Sequence, residues 1–130
     1  MNDENRRILV EQQRRKAHRF LSQAHEMVEL KHWDMAANRF YYACFHIVQG
    51  LFIAEGLSAH KHSGMVSLFS LHYVKTGRIA LTNGSFLARM MELRHKADYN
   101  CSYDVSQNEV EQMIPLAENF VREVEMLIDK

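Results

Sequence analysis

Three groups of residues carry side chains suited to chemistry. The first is Arg94 and Asp98, four positions apart in the stretch Ser85–Tyr99. Its apolar residues Phe86, Leu87, Met90, Met91, Leu93 and Ala97 recur with helical spacing. Arg89, Glu92, His95 and Lys96 take the opposite side, but Arg94 and Asp98 fall by angle among Leu87, Met90 and Met91. A charge in an apolar setting is costly unless it is paired, and side chains at i and i+4 of a helix can meet. Two readings follow. The pair is a structural bridge that fastens this helix to its neighbours, or Arg94 lies at the floor of a cleft, oriented by Asp98, with its guanidinium offered to a phosphate. The second group is Asn38, Arg39, Tyr42, His46 and Gln49, which share about 100° of arc on a segment that is otherwise apolar. The third is His62, which with His60 belongs to the polar loop Leu57–Gly64.

These groups need elements to position them. Ala36–Ile53 reads as a central helix, apolar most of the way round, with one polar ridge. A helix apolar on nearly all sides is buried, and buried polar groups need partners. The ridge therefore has to meet another helix, a second subunit or a ligand. A first helix over about Asn5–Lys31 carries the stripe Ala17, Phe20, Leu21, Ala24, Met27 and Val28. Its pattern fades before Ala17, so residues 1–14 are expected to project beyond the core. Asp34 is placed to cap the second helix and Gly56 to end it. A third helix spans about Ser63–Lys75 and stops at Gly77; Arg78–Gly84 reads as a connection, with Asn83-Gly84 a turn dipeptide. Ser106 and Glu109 form a capping box before a fifth helix that Pro115 should bend. The fold expected is all-α, an up-and-down bundle of about five helices in one domain over residues 1–130.

Composition narrows the function. Formal net charge is zero, which argues against a strongly electrostatic nucleic-acid binder. Charge is nevertheless uneven. Arg6, Arg7, Arg14, Arg15, Lys16 and Arg19 dominate the start, whereas Glu109, Glu111, Glu118, Glu123, Glu125 and Asp129 dominate the last helix. Either the terminal helices complement each other or the first forms a basic arm that touches phosphates or a partner. Cys44 and Cys101 suit reduced thiols of the cytoplasm rather than a disulfide framework. The first residues do not read as a signal peptide, and no run is long and apolar enough to span a membrane. His18, His25 and His32 recur every seven residues, too far apart to share one ion on a helix, and read as a solvated edge. His60 and His62 have no carboxylate or cysteine close by in sequence. Neither a metal nor a cofactor is expected, and phosphate loops, dinucleotide fingerprints, zinc-protease motifs and nucleophile elbows are absent.

Asn38-Arg39-Phe40-Tyr41-Tyr42-Ala43, Lys61-His62-Ser63-Gly64 and Arg94-His95-Lys96-Ala97-Asp98-Tyr99 occur in that order. As a set they resemble the HEPN domain family, over about residues 15–128. The resemblance implies a helical bundle that dimerises, with an interfacial cleft lined by the second and fourth helices. It points to Arg94, Asp98 and Tyr99 as catalytic residues and to Asn38, Arg39, Tyr42, His46 and His62 as ligand-binding ones. Many family members act beside a minimal nucleotidyltransferase as a toxin–antitoxin pair. Many others are metal-independent ribonucleases, marked by an arginine with a histidine four to six residues beyond. Here those places hold Tyr99, Asn100 and Cys101, and no histidine follows His95. A tyrosine near its ordinary pKa of about 10 is poorly matched to proton transfer at neutral pH. Three functions compete. The first is a dimeric nucleotide or RNA-phosphate binder partnered by a nucleotidyltransferase. The second is a metal-independent RNA endonuclease toxin, with His62, His46 or Tyr99 moving protons. The third is a structural interaction protein whose ridge seals a dimer.

Overall fold

The computed structural model describes residues 2–59 and 62–130. Among them the chain forms five α-helices and no strand: α1 Asp3–Glu29, α2 Trp33–Glu55, α3 His62–Phe69, α4 Leu81–Tyr99 and α5 Gln107–Ile128. A π-helical turn, Ser70–Val74, continues α3. Of the loop motif Lys61-His62-Ser63-Gly64, Lys61 lies outside the described residues, as does His60.

α2 is the axis. Eleven of its residues are buried, Phe40, Tyr41, Ile47, Leu51 and Phe52 among them. α1 packs antiparallel to it through the small residues Ala17 and Ala24, which let the two backbones approach closely. Gly50 of α2 repeats the device, for a Cβ there would sit 3.4 Å from the Cβ of Gln13. The first turns of α1 lie along α2 rather than standing clear of it. Val10 is buried, and the Arg6 guanidinium donates to the Ile53 carbonyl at 2.9 Å. α5 covers another face with Val110, Ala117, Phe120, Val121 and Val124. Phe120 meets Phe69 and Phe86, with ring centres 5.5 and 6.0 Å away, so α3, α4 and α5 share one core. Truncating such a phenylalanine to alanine typically costs about 3–5 kcal/mol.

The charge asymmetry of the sequence becomes a ladder between the terminal helices. Arg14 reaches Glu125 at 3.2 Å and Asp129 at 2.8 Å. His18 meets the same Glu125, and His25 meets Glu118. The rungs follow one antiparallel register. The complementary-helix reading is thus the one formed, and two of the three spaced histidines belong to it. On the other side, Tyr73 donates to Glu55 at 2.7 Å and Arg78 pairs with the same carboxylate, tying the π turn to the end of α2. Arg78 holds Glu55 below the usual carboxylate range, against the opposing effect of burial.

Two local expectations are corrected. Asp34 does not cap α2: His32 occupies the cap position without a side-chain bond, and Asp34 instead accepts from the Val105 N–H at 2.9 Å. Long-range pairing with the loop before α5 outcompetes the local cap. Asn83-Gly84 is not a turn, since α4 begins at Leu81 and includes both. Gly84 is needed where α4 passes the π turn, because a Cβ added there would lie 2.7 Å from Cγ2 of Val74. Gly56, with φ 75°, ends α2 in the left-handed conformation expected of it. Ser106 and Glu109 form the capping box, and α5 runs unbroken through Pro115.

Val74 is β-branched and stiff, so it cannot swing away from an added methyl. Gly84→Ala should cost about 1–3 kcal/mol by overpacking. Combining it with Val74→Ala should cost less than the two single changes together. Urea melts of the four proteins check this; strictly additive losses would mean that the approach is not tight.

Candidate functional site

The functional side chains gather where α2 crosses α4. A cavity of about 300 Å³ opens there, lined by Asn38, Arg39 and Tyr41 of α2, Arg94 and Asp98 of α4, and Tyr103 beyond it. That is the lower end of the size range of small-ligand sites. Met90, Leu93 and Ala97 contribute apolar wall.

Arg94 is held from three sides. Its guanidinium carbon stands 5.7 Å from the centre of the Tyr41 ring and 6.0 Å from that of Tyr42, a cation over two aromatic faces. Asp98 is 3.4 Å away, one turn along the same helix. Burial works against the Arg94 charge, and Tyr42, Tyr41 and Asp98 more than offset it. The side chain is 20% exposed, enough to meet a ligand without being loose. Arg39 approaches from the other helix. Its guanidinium donates to Asn38 at 2.8 Å and rides over the Phe20 ring at 5.2 Å. Among the described residues it has no carboxylate partner. The cavity therefore has two guanidiniums fixed by rings and an amide, with Asp98 paired to Arg94 and the Asp34 carboxylate also in the lining. Planar donors of this kind suit a phosphate or another polyoxygen anion.

His62 is not part of the cavity lining but stands against the same two tyrosines as Arg94. Its ring stacks on Tyr41 at 5.6 Å and on Phe45 at 4.8 Å, and meets Tyr42 edge-on at 6.2 Å. Its Nδ1 shares a hydrogen bond with the Tyr41 hydroxyl. Burial lowers the pKa of His62, the Arg94 charge lowers it further, and Asp98 works in the opposite direction. Tyr41, 1% exposed, is pushed up by burial and stays a neutral phenol.

The other expected site residues, His46 and Tyr99, do not line the cavity, although the His46 ring lies 6.3 Å from that of Tyr42. His46 turns toward α1: Nδ1 lies 2.7 Å from Gln13 Oε1, and the ring stacks on Phe20 at 5.3 Å. The end of the α2 ridge is thus satisfied within the chain. Tyr99 is 73% exposed, its ring 4.7 Å from His95. Five residues beyond Arg94 on one helix, it points about 140° away from it. Sequence reasoning gave Tyr41 no role of its own and counted Met91 among the apolar residues of its helix. The available signal was the hydroxyl of Tyr41, since a buried tyrosine normally finds its O–H a partner. Among the described residues no cluster of histidine, cysteine or carboxylate side chains is arranged to hold a metal ion, and no helix is long and apolar enough to cross a membrane.

His46 carries a pH consequence. Burial, followed by the nearby charges of Lys16 and Arg19, lowers its pKa from 6.5 to about 4. Below pH 6.5 the unfolded chain therefore takes up a proton that the folded chain refuses. Its share of stability should fall as the pH drops from 6.5 toward about 4, and level off below. His46→Gln should remove that slope, whatever its effect on absolute stability. Denaturant melts at intervals across the window check this; parallel curves for the two proteins would show that His46 is not the titrating group.

The chain is similar to known proteins over nearly all of its length. The HEPN domain family matches residues 10–127. A "UPF0332 protein" of Thermotoga maritima is 36% identical over 129 residues, 99% of this chain and 96% of its own. A protein of Methanocaldococcus jannaschii named "Putative toxin MJ0605" is 32% identical over 110 residues, 85% of this chain and 76% of its own. A second from that organism, "Putative toxin MJ0142", is 24% identical over 99 residues, 76% and 67% of the two chains. With its helical bundle and nearly all of its length matched, this chain belongs to the HEPN domain family.

Proposed function

We propose that this chain is a toxin-like HEPN module of the cytoplasm. In this reading it works as a dimer, binds a nucleotide or an RNA phosphate, and pairs with a minimal nucleotidyltransferase. The observation that carries the binding part is the pair of guanidiniums across one cavity. Arg94 is braced by Tyr41, Tyr42 and Asp98, and Arg39 by Asn38 and Phe20. A bridge made only to lock two helices would not need the second cation. The toxin-like part is supported by the names of the relatives from Methanocaldococcus jannaschii. Dimerisation and the nucleotidyltransferase partner are extended from the family.

A second reading, a metal-independent RNA endonuclease, has one observation in its favour. No histidine follows Arg94 at the family's spacing, but His62 at the start of α3 shares both tyrosine rings with Arg94.

The test of binding is fluorescence anisotropy with a labelled single-stranded RNA in EDTA. Arg94→Ala and Arg39→Ala should each weaken binding about tenfold or more, the scale of a charge-assisted contact. Each should also reduce the slope of log affinity against log salt by about 0.7, one phosphate contact on a single strand. Affinity unchanged in both variants, together with no stable complex with a nucleotidyltransferase from the native host, would overturn the reading in favour of a purely structural bundle.

A further inference from the structure

The ladder to α5 occupies one edge of α1 and leaves another unanswered. Of the basic residues at the start of the chain, Arg6 is tied to the Ile53 carbonyl, Arg7 to Glu4, and Arg14 to Glu11, Glu125 and Asp129. Arg15, Lys16 and Arg19 are exposed. Among the described residues none of the three has a carboxylate partner. The local sequence explains why. One turn to either side, Lys16 meets Gln12, Gln13, Arg19 and Phe20. Arg19 likewise meets Arg15, Lys16, Ser22 and Gln23. Side chains on one helix pair at these spacings, and no acid stands at any of them. Glu26, on the same side, is about two turns beyond Arg19.

Arg39 of α2 faces these cations. Arg19 and Arg39 approach one ring, that of Phe20, at 5.8 and 5.2 Å from its centre. Two like charges against one ring repel, and an aromatic face steadies a guanidinium without neutralising it. His46 feels the same charges. Its ring stacks on Phe20 at 5.3 Å, and Lys16 and Arg19 add to burial in lowering its pKa. Lys16, Arg19 and Arg39 therefore meet around the half-buried rings of Phe20 and His46, along the seam between α1 and α2. Arg39 also lines the cavity that holds Arg94, whereas Lys16 and Arg19 lie outside it. The cations form a track from the cavity to the surface of α1. Asp34 and Asp98, the carboxylates of the cavity, stand at its inner end.

Shape and charge select the occupant. A free nucleotide in a cavity of about 300 Å³ meets Arg94 and Arg39 and leaves the outer cations unused. A flexible chain of anions with flat groups between them can follow the whole track. Single-stranded nucleic acid is held in this way, by a positive groove set with aromatic rings. We propose that the seam between α1 and α2 is a binding track for single-stranded RNA, in which Arg19 and Lys16 hold phosphates that flank the one at Arg94 and Arg39. The inference rests on the phosphate-binding reading above and adds to it that the ligand is a polynucleotide rather than a free nucleotide. No bond is made or broken in it.

The experiment uses the full chain in EDTA and two fluorescent probes, a single-stranded RNA octamer and adenosine monophosphate. Lys16→Ala and Arg19→Ala should each lower the slope of log affinity against log salt for the octamer by about 0.7, and the double variant by about 1.4. Affinity for the mononucleotide should not change in any of them. Arg94→Ala should weaken both probes. Arg122→Ala removes an exposed cation of α5 that also lacks a carboxylate partner, and it should leave the octamer slope as it was. The track residues are exposed and unbridged, so their variants should keep the wild-type melting temperature. In NMR spectra the octamer should move the ring resonances of His46, and the mononucleotide should not. Should Arg94→Ala weaken both probes while the double variant holds the octamer as wild type does, the track is overturned and the phosphate-binding reading survives. Should the double variant lower the octamer slope while Arg94→Ala changes nothing, the strand bypasses the cavity, and both the reading and this inference fall. An equal loss of slope in Arg122→Ala would reduce the track to general attraction and overturn it. So would a wild-type dimer, seen by sedimentation, that the double variant fails to form, because the seam would then belong to a second copy of the chain.

Discussion

Everything in this molecule depends on burying a helix that is not purely apolar. α2 sits at the centre with Phe40, Ile47, Leu51 and Phe52 out of solvent, so each polar group it carries has to be satisfied by something brought to it. Gln13 of α1 does this for His46. Asn38 does it for Arg39 within α2 itself. Tyr41 is served by His62 and Met91 from two different helices. The site is therefore a by-product of a folding constraint: the elements that satisfy the ridge also bring a guanidinium, a carboxylate and an imidazole around one pair of tyrosines. An unmade hydrogen bond at such a place costs about 1–3 kcal/mol, enough to fix which side chains face α2.

Cations are handled differently at the two ends of the fold. Arg14 is surrounded by Glu11, Glu125 and Asp129. Arg94 has one carboxylate and two ring faces, and Arg39 has a ring and an amide. Aromatic faces stabilise a guanidinium without neutralising it, so its outward N–H groups stay available to an anion. The first arrangement holds helices together, and the second leaves two guanidiniums in the lining of a cavity.

Much of this was legible in the chain. Helical periodicity marked all five helices, since each buries one stripe or nearly all of its surface. The i, i+4 relation of Arg94 and Asp98 was readable because both sit on one helix. What failed needed knowledge of partners. Asp34 looked like a cap because capping is local, but its acceptor is used by Val105, 71 residues away. Asn83-Gly84 looked like a turn because a glycine in a helix has no local reason; its reason is Val74, on another element. Tyr41 was hidden by its own chemistry, as the ring counts toward the core while the hydroxyl counts toward the site. Tyr99 entered through family resemblance, and helix rotation carries it to the surface.

The ladder between α1 and α5 gives the first helix two unlike attachments. Toward α2 it is held by apolar contact at Ala17 and Ala24 and by close approach at Gly50. Toward α5 it is held by bridges with water-exposed outer members, Asp129 62% and His18 54% exposed, around the more sheltered Arg14 and Glu125 at 20% and 18%. Dissolved ions screen the second kind and barely touch the first. Raising ionic strength should thus loosen the seam between the terminal helices while the α1–α2 pair persists. In terms of amide hydrogen exchange, the bundle has one edge whose opening is set by the solution and an interior whose opening is set by packing.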